Sequence, residues 1–252
     1  MIQQMIRTAM RTLDNSGHYA IIKDITHSVD GGVIVHFDGH AYVNFASNSY
    51  LGLAQHPKVT EATIAAARTH GAGTGGSRLT SGAHDLHRQL EERIAAFKGH
   101  EDGVIFTTGY LANTGILPAI TCCPIRGMIT NLDPEASSAF TKVDIFADAL
   151  VHASIIDGLA IATARIFGRQ VQCHFYHHLD MAHLESLLTK SSAPSKLIVT
   201  DGVFSLHGRL APLDRLAPLA ERYEASLYVD DAHGTGVLGA HGRGTAEHFG
   251  VD

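Results

Sequence analysis

The chain alternates short unbroken apolar runs with stretches in which apolar residues recur every three or four positions. Lys196–Thr200 and Leu227–Val229 are of the first kind, the pattern of parallel strands covered on both faces, and Val143-Asp-Ile-Phe146 reads as another strand. Between the first two, Leu213, Leu216, Ala220 and Tyr223 fall at helical spacing, and Pro212 suits a first helical turn. Strand, helix and strand in that order form a right-handed crossover, so both strands point the same way. Gly103–Thr107 reads as a further strand that runs into a helix start at Thr108-Gly109-Tyr110. Leu86, Leu90, Ile94 and Phe97 mark one face of a helix that ends before Gly99. The pattern predicts an α/β fold, a doubly wound and mostly parallel sheet with helices on both faces.

The front of the chain reads differently. Met1–Asp14 has the spacing of an amphipathic helix, and Val33–Phe37 with Ala41–Phe45 flank Asp38-Gly39, a strong hairpin signal. An aperiodic loop, Ala46–Leu53, follows, and His56-Pro57 opens an alanine-rich helix over Val59–Thr69. The expected division is a small segment, residues 1–57, and a larger domain, residues 58–252.

Polar groups collect where the apolar runs stop. Leu227–Val229 ends on Asp230-Asp231-Ala-His233-Gly234-Thr-Gly236, and Lys196–Thr200 ends on Asp201-Gly-Val-Phe-Ser205. In open α/β sheets ligands lie beyond the carboxyl ends of the strands, so two such clusters on one edge point to a site. Each also has a plainer reading. Asp230 and Asp231 could cap a helix, His152 could be a cap or a packed core residue, and Thr108–Asn113 could be a tight turn as well as a phosphate-binding helix start.

Gly71-Ala-Gly73-Thr-Gly75-Gly76 matches a dinucleotide fingerprint in spelling only. A helix precedes it, and no acidic residue closes a second strand some twenty positions on, as such a site requires. It reads as a crossing loop, which argues against a nicotinamide-dependent oxidoreductase. His174, His177, His178 and His183 raise a metal alternative. They lack metal-ligand spacing and fall in what reads as a loop, so no metal is assigned. Adjacent Cys122 and Cys123 carry no obvious base and read as structural.

Composition narrows the class. With 45% hydrophobic and 17% charged residues in 252, the chain is globular, and a net charge of -6 leaves no basic footprint for nucleic acid. No apolar run approaches the ~18 residues of a membrane span, and the start lacks the apolar stretch of a signal peptide. Three cysteines make no disulfide framework. The expected compartment is the cytoplasm, and the expected partners are small molecules.

Six motifs then occur in order: Asn44–Leu53, Gly73–Gly82, Thr108–Asn113, His152–Gly158, Asp201–Ser205 and Asp230–Gly236. Together they resemble the α-oxoamine synthases, pyridoxal 5'-phosphate enzymes of fold type I, over about Val33 to Asp252. The resemblance implies that Asp230 pairs with the pyridine nitrogen and His152 stacks on the ring. It implies that Ser205 and His233 hydrogen-bond around the phenolic oxygen, and that Gly109 and Tyr110 offer backbone N–H groups to the cofactor. Asn48 and Ser77, the latter in the Gly73–Gly82 loop, would line the substrate space, in part across a homodimer interface. The implied reaction is a decarboxylating condensation of an amino acid with an acyl thioester.

Three departures qualify this. The family's Schiff-base lysine lies about thirty residues beyond the Asp-Ala-His motif, and Lys23, Lys58, Lys98, Lys142, Lys190 and Lys196 all stand elsewhere. The resemblance therefore implies a large domain that is incomplete at its C-terminus and lacks the small C-terminal domain, inactive by itself. Cys122 to about Phe140 reads as an insertion, and no arginine stands near Gly17-His-Tyr19 to take a substrate carboxylate. A catalytic acyltransferase and a binding-only homologue both remain open at this stage.

Overall fold

The structure, a computed structural model, describes residues 1–16, 25, 27–29, 33–122, 142–164 and 170–251. It forms two compact units, residues 1–73 and 74–252.

The first unit holds helix α1 (Ile2–Asn15), strands β1 (His27–Val29), β2 (Ile34–Phe37) and β3 (His40–Val43), and helix α2 (Pro57–His70). The strands pair antiparallel in sequence order. Asp38 and Gly39 both take positive φ, +50° and +71°, the two-residue turn that matches the twist of a hairpin. Phe37 and Tyr42 stack across it at 4.2 Å. The expected hairpin is present, with β1 added at its edge. Helix α2 starts on Pro57, and the His56 ring caps it by accepting from the Lys58 N–H.

The second unit begins with α3 (Asp85–Lys98) and α4 (Gly109–Cys122). Strands β4 (Lys142–Asp148), β5 (Gln170–Tyr176), β6 (Ser195–Asp201) and β7 (Ala225–Asp230) alternate with α5 (Ala153–Thr163), α6 (Met181–Lys190) and α7 (Leu213–Arg222). Helix α8 (Thr245–Phe249) follows. All four strands are parallel, in the order β5-β4-β6-β7. The expected doubly wound, parallel α/β domain is the fold found.

Side-chain alternation divides the core between the two faces of the sheet. Val143, Ile145 and Ala147 of β4, with Leu197 and Val199 of β6, pack on Leu117 of α4 and on Ile155 and Leu159 of α5. Phe146 and Ile198 lie in the opposite cluster, with Met181, Leu184 and Leu188 of α6 and Leu213 and Leu216 of α7. Helices therefore cover both faces, as the continuous apolar strands require.

Three readings need correction. Gly103–Thr107 is not a strand: the Gly103 N–H donates to Asp102 Oδ1 at 2.7 Å, and the Ile105 N–H donates to Glu91 Oε1 at 3.0 Å. Side-chain carboxylates take the donors that a sheet ladder would use. His174 belongs to β5 and His183 to α6, so only His177 and His178 of the histidine-rich run lie in a loop. Pro212 is the N-cap of α7 and precedes its first turn. The expected α3 face forms, yet Leu86, Leu90, Ile94 and Phe97 stay 38–48% exposed and only Ala95 is buried. Of the proposed insertion, residues 123–140 lie outside the described residues.

Helices α4 and α5 approach closely at Gly158. A Cβ there would lie 2.7 Å from the Asn113 carbonyl oxygen and 3.0 Å from Leu117 Cδ1. Gly158→Ala should therefore push the two helices apart and cost about 1–3 kcal/mol by overpacking, read from urea unfolding. An unchanged midpoint would show that the helices absorb the methyl freely.

Candidate active site

The chain leaves β4 for β5 on one side and later adds β6 and β7 on the other, so the strand order reverses between β4 and β6. Crevices at such switch points, beyond the carboxyl ends of the strands, are where this architecture binds ligands. A cavity of about 110 Å³ opens there, lined by residues that include Gly109, Tyr110, His152, Ser205, Asp230 and His233. It is smaller than an ordinary small-molecule pocket, so a ligand would lie partly within it and partly over its rim.

Each lining group is delivered by an element end. Asp230 closes β7. His152 caps α5, its Nδ1 accepting from the Ser154 N–H at 3.2 Å, so the plainer reading of this residue and its place at the cavity hold together. Thr108 caps α4 by accepting from the Leu111 N–H at 3.1 Å. Gly109 and Tyr110 thus occupy a first turn, whose N–H groups lack intrahelical acceptors and favour an anion. The Tyr110 hydroxyl donates to Asp157, which raises its pKa above the usual phenol range.

The two adjacent aspartates have separate jobs. Asp231 accepts from the Thr245 N–H and hydroxyl, from the Thr235 hydroxyl, and from Lys98 Nζ at 3.4 Å. It ties α3 to the turn after β7 and holds the start of α8, so the capping reading is right for Asp231. Gly244 packs against it at φ +103°, where a Cβ would collide with the carboxylate. Asp230 Oδ1 accepts from the Ala232 N–H at 3.1 Å, and its Oδ2 accepts from Asn113 Nδ2 at 2.7 Å.

Asn113, Ser154, Tyr228 and Asp201 were not singled out as site residues from the sequence. Asn113 is 4% exposed, and its amide also donates to Ser154 Oγ at 2.8 Å while accepting from the Tyr228 hydroxyl at 2.6 Å. Asn113 and Ser154 stand inside recognised motifs, which could have flagged them. Tyr228 lies within an apolar strand run and gives no such signal.

Asp201 and Asp230 are level partners on β6 and β7. Burial first, then the Asp230 charge, push the Asp201 carboxyl up to about 7, opposed by the His152 N–H that donates to it at 3.4 Å. A third strand-end carboxylate, Asp148 of β4, is fully buried. It accepts from the Leu150 and Leu179 N–H groups and from His178 Nδ1 at 2.9 Å, pinning the turns after β4 and β5.

Two further sequence candidates, Ser77 and Asn48, lie in loops. Ser77 sits in an exposed loop, 3.3 Å from the Thr80 hydroxyl. That loop is tied to α3 by Arg78, which grips Glu91 with both terminal nitrogens at 2.6 and 2.9 Å. Asn48 belongs to the first unit, where Oδ1 lies 3.4 Å from the Tyr50 hydroxyl. The histidines considered for a metal are engaged in packing and in local hydrogen bonds. His174 stacks on Phe146, and His183 accepts from the His177 N–H. Among the described residues, no group of three or more His, Cys, Asp or Glu side chains is placed to hold a metal ion, and no helix is long and apolar enough to cross a membrane.

The aminotransferase class I and II family matches residues 40–251. The chain belongs to that family. It is 44% identical over 243 residues to an 8-amino-7-oxononanoate synthase of Geobacter sulfurreducens, covering 96% of this chain and 55% of that protein. It is 48% identical over 216 residues to the enzyme of that name from Geotalea daltonii, covering 85% and 49%. The chain spans about half the length of the curated relatives it matches. Among solved structures, a serine palmitoyltransferase of Sphingomonas wittichii superposes with a TM-score of 0.81 at 26% identity, over 99% of this chain and 57% of that one. A serine palmitoyltransferase of S. paucimobilis, solved with a bound PLP–myriocin aldimine, gives 0.79 at 27%, over 98% and 56%. These findings bear out the resemblance to the α-oxoamine synthases.

A carboxyl held near 7 in the fold and near 3.8 when unfolded keeps its proton longer in the folded state. Its contribution is therefore fully present below pH 4 and is lost as pH rises through 7. Asp201→Asn should gain on the parent chain over that window, by up to about 4 kcal/mol at pH 8 and little at pH 4. Urea unfolding at the two pH values measures it. An equal difference at both would mean that Asp201 ionises normally.

Proposed function

We propose that the protein is a pyridoxal-phosphate-dependent acyltransferase of the α-oxoamine synthase type, similar in activity to 8-amino-7-oxononanoate synthase. The observation that carries this is Asp230, a carboxylate held by two donors at a cavity that also receives His152 and the first turn of α4. The donor set suits the cofactor. An ionised carboxylate favours a protonated ring nitrogen, an imidazole at the rim offers a flat face, and free N–H groups at a helix start favour a phosphate.

When bound, pyridoxal phosphate supplies an electron sink for the bond that breaks at the substrate α-carbon. Asp230 would hold the ring nitrogen's proton, with its Oδ2 fixed in place by the Asn113 amide. His152 would fix the plane of the ring, with its Nδ1 committed to the Ser154 N–H. Ser205 and His233 would hydrogen-bond around the phenolic oxygen, and Gly109 and Tyr110 would bind at the phosphate. The substrates are an amino acid, L-alanine, and a pimeloyl thioester carried on coenzyme A or acyl-carrier protein, placing the reaction in biotin synthesis. Asn48 and Ser77 would serve the substrates, and the protein would act as a homodimer in the cytoplasm. The similarity to synthases of that name supports this choice of substrates.

Titrating the protein with pyridoxal phosphate by absorbance should show saturable binding. Asp230→Ala should weaken it at least about tenfold, because a charge-assisted contact is lost. In the protein isolated from its native source, free thiol should be released from pimeloyl-CoA with L-alanine and much more slowly with glycine. Binding without thiol release from any amino acid would favour a binding-only homologue. Absence of binding would sink the cofactor reading altogether.

A further inference from the structure

One buried amide touches Asp230 directly and His152 through Ser154, the two groups that the proposed cofactor would meet. Asn113 Nδ2 has two hydrogens: one points to Asp230 Oδ2 at 2.7 Å and the other to Ser154 Oγ at 2.8 Å. Ser154 Oγ in turn lies 2.6 Å from His152 Nδ1. That nitrogen already accepts from the Ser154 N–H, so it carries no proton of its own and the hydroxyl donates to it.

The direction of the amide is forced. The Tyr228 hydroxyl donates to Oδ1 at 2.6 Å, which leaves Nδ2 to face the Asp230 carboxylate. Burial and the nearby Asp230 push the Tyr228 phenol up to about 12, so it stays a donor at any ordinary pH. The helix carrying Asn113 cannot drift, because its main chain packs directly on Gly158. Every polar atom of the side chain has a partner, and each partner constrains the next.

We infer that Asn113 is the positioning residue of this site. Through one amide it sets the Asp230 carboxylate and, by way of Ser154, the His152 ring in a single arrangement. This rests on the cofactor reading above, and it adds a residue that touches neither ring nor substrate. Asn113 acts only through its neighbours, so its effect on binding should depend on them, which simple packing would not.

The test is pyridoxal phosphate affinity of the full chain by fluorescence titration at pH 7.5, in a double-mutant cycle. Asn113→Ala should raise Kd about ten- to hundredfold, the usual effect of losing an outer partner of a ligating group. In an Asp230→Asn background the same change should cost at least about threefold less, since one of its two routes is already gone. An unchanged Kd, or an equal loss in both backgrounds, would overturn the inference. If Asn113→Ala fails to fold by its thermal melt, Tyr228→Phe takes its place. It removes only the hydroxyl that orients the amide and should raise Kd about threefold; no change there would also overturn the inference. Failure of the unmodified protein to bind pyridoxal phosphate is a separate result, which removes the cofactor reading and this inference together.

Discussion

The site depends on how two carboxylates share the end of one sheet. Parallel pairing of β6 with β7 sets Asp201 and Asp230 level with each other, and like charges that close in a half-dry setting do not both ionise cheaply. The surroundings break the tie. Asp230 receives a short charge-assisted bond from Asn113 and a second from the Ala232 N–H, while Asp201, 5% exposed, has a long contact from the His152 N–H. Asp201 is thereby left to hold a proton, its carboxyl pushed up to about 7. Both carboxylates line the cavity, and Asp230, held by its two donors, is the one placed to meet a cationic ring nitrogen.

The same economy governs the neighbouring pair in sequence. Asp230 and Asp231 differ by one position, and in an extended strand successive side chains leave on opposite sides. Asp231 is turned away toward Lys98, Thr235 and Thr245, and the glycines around it leave room for the carboxylate alone. A loop that must present Asp230 and His233 at fixed positions is thereby anchored from behind by a second carboxylate. The rigidity of the site and the stability of the turn come from one dipeptide, and exchanging the two roles would need the strand register to slip by one.

Much of this was legible in the sequence for physical reasons. Parallel strands buried on both faces leave continuous apolar runs, so β4, β6 and β7 and the polar groups at their ends could be read directly. The hairpin was legible because Asp38-Gly39 has the backbone freedom its turn needs. Gly103–Thr107 misled because its composition suits a strand, whereas its N–H groups are taken by Asp102 and Glu91, a matter of side-chain geometry that no pattern encodes. The histidine-rich run misled in a similar way. Its members look alike in sequence, but stacking on Phe146, accepting the His177 N–H and pairing with Asp148 are three unrelated tasks.

Tyr228 marks where sequence reading stops. In a strand it counts as one more apolar residue, and its ring does pack in the core cluster beside β4 and β6. Only its hydroxyl, reaching Asn113, connects that core to the site. A buried tyrosine needs a partner for its hydroxyl, and a buried asparagine needs partners for three polar positions. Each satisfies the other, and the asparagine's remaining hydrogens are then committed to Asp230 and Ser154. The requirement that buried polar groups be paired is thus what transmits order from the packed core to the cavity. In this fold, the arrangement of the site is a consequence of completing the hydrogen bonds of the core.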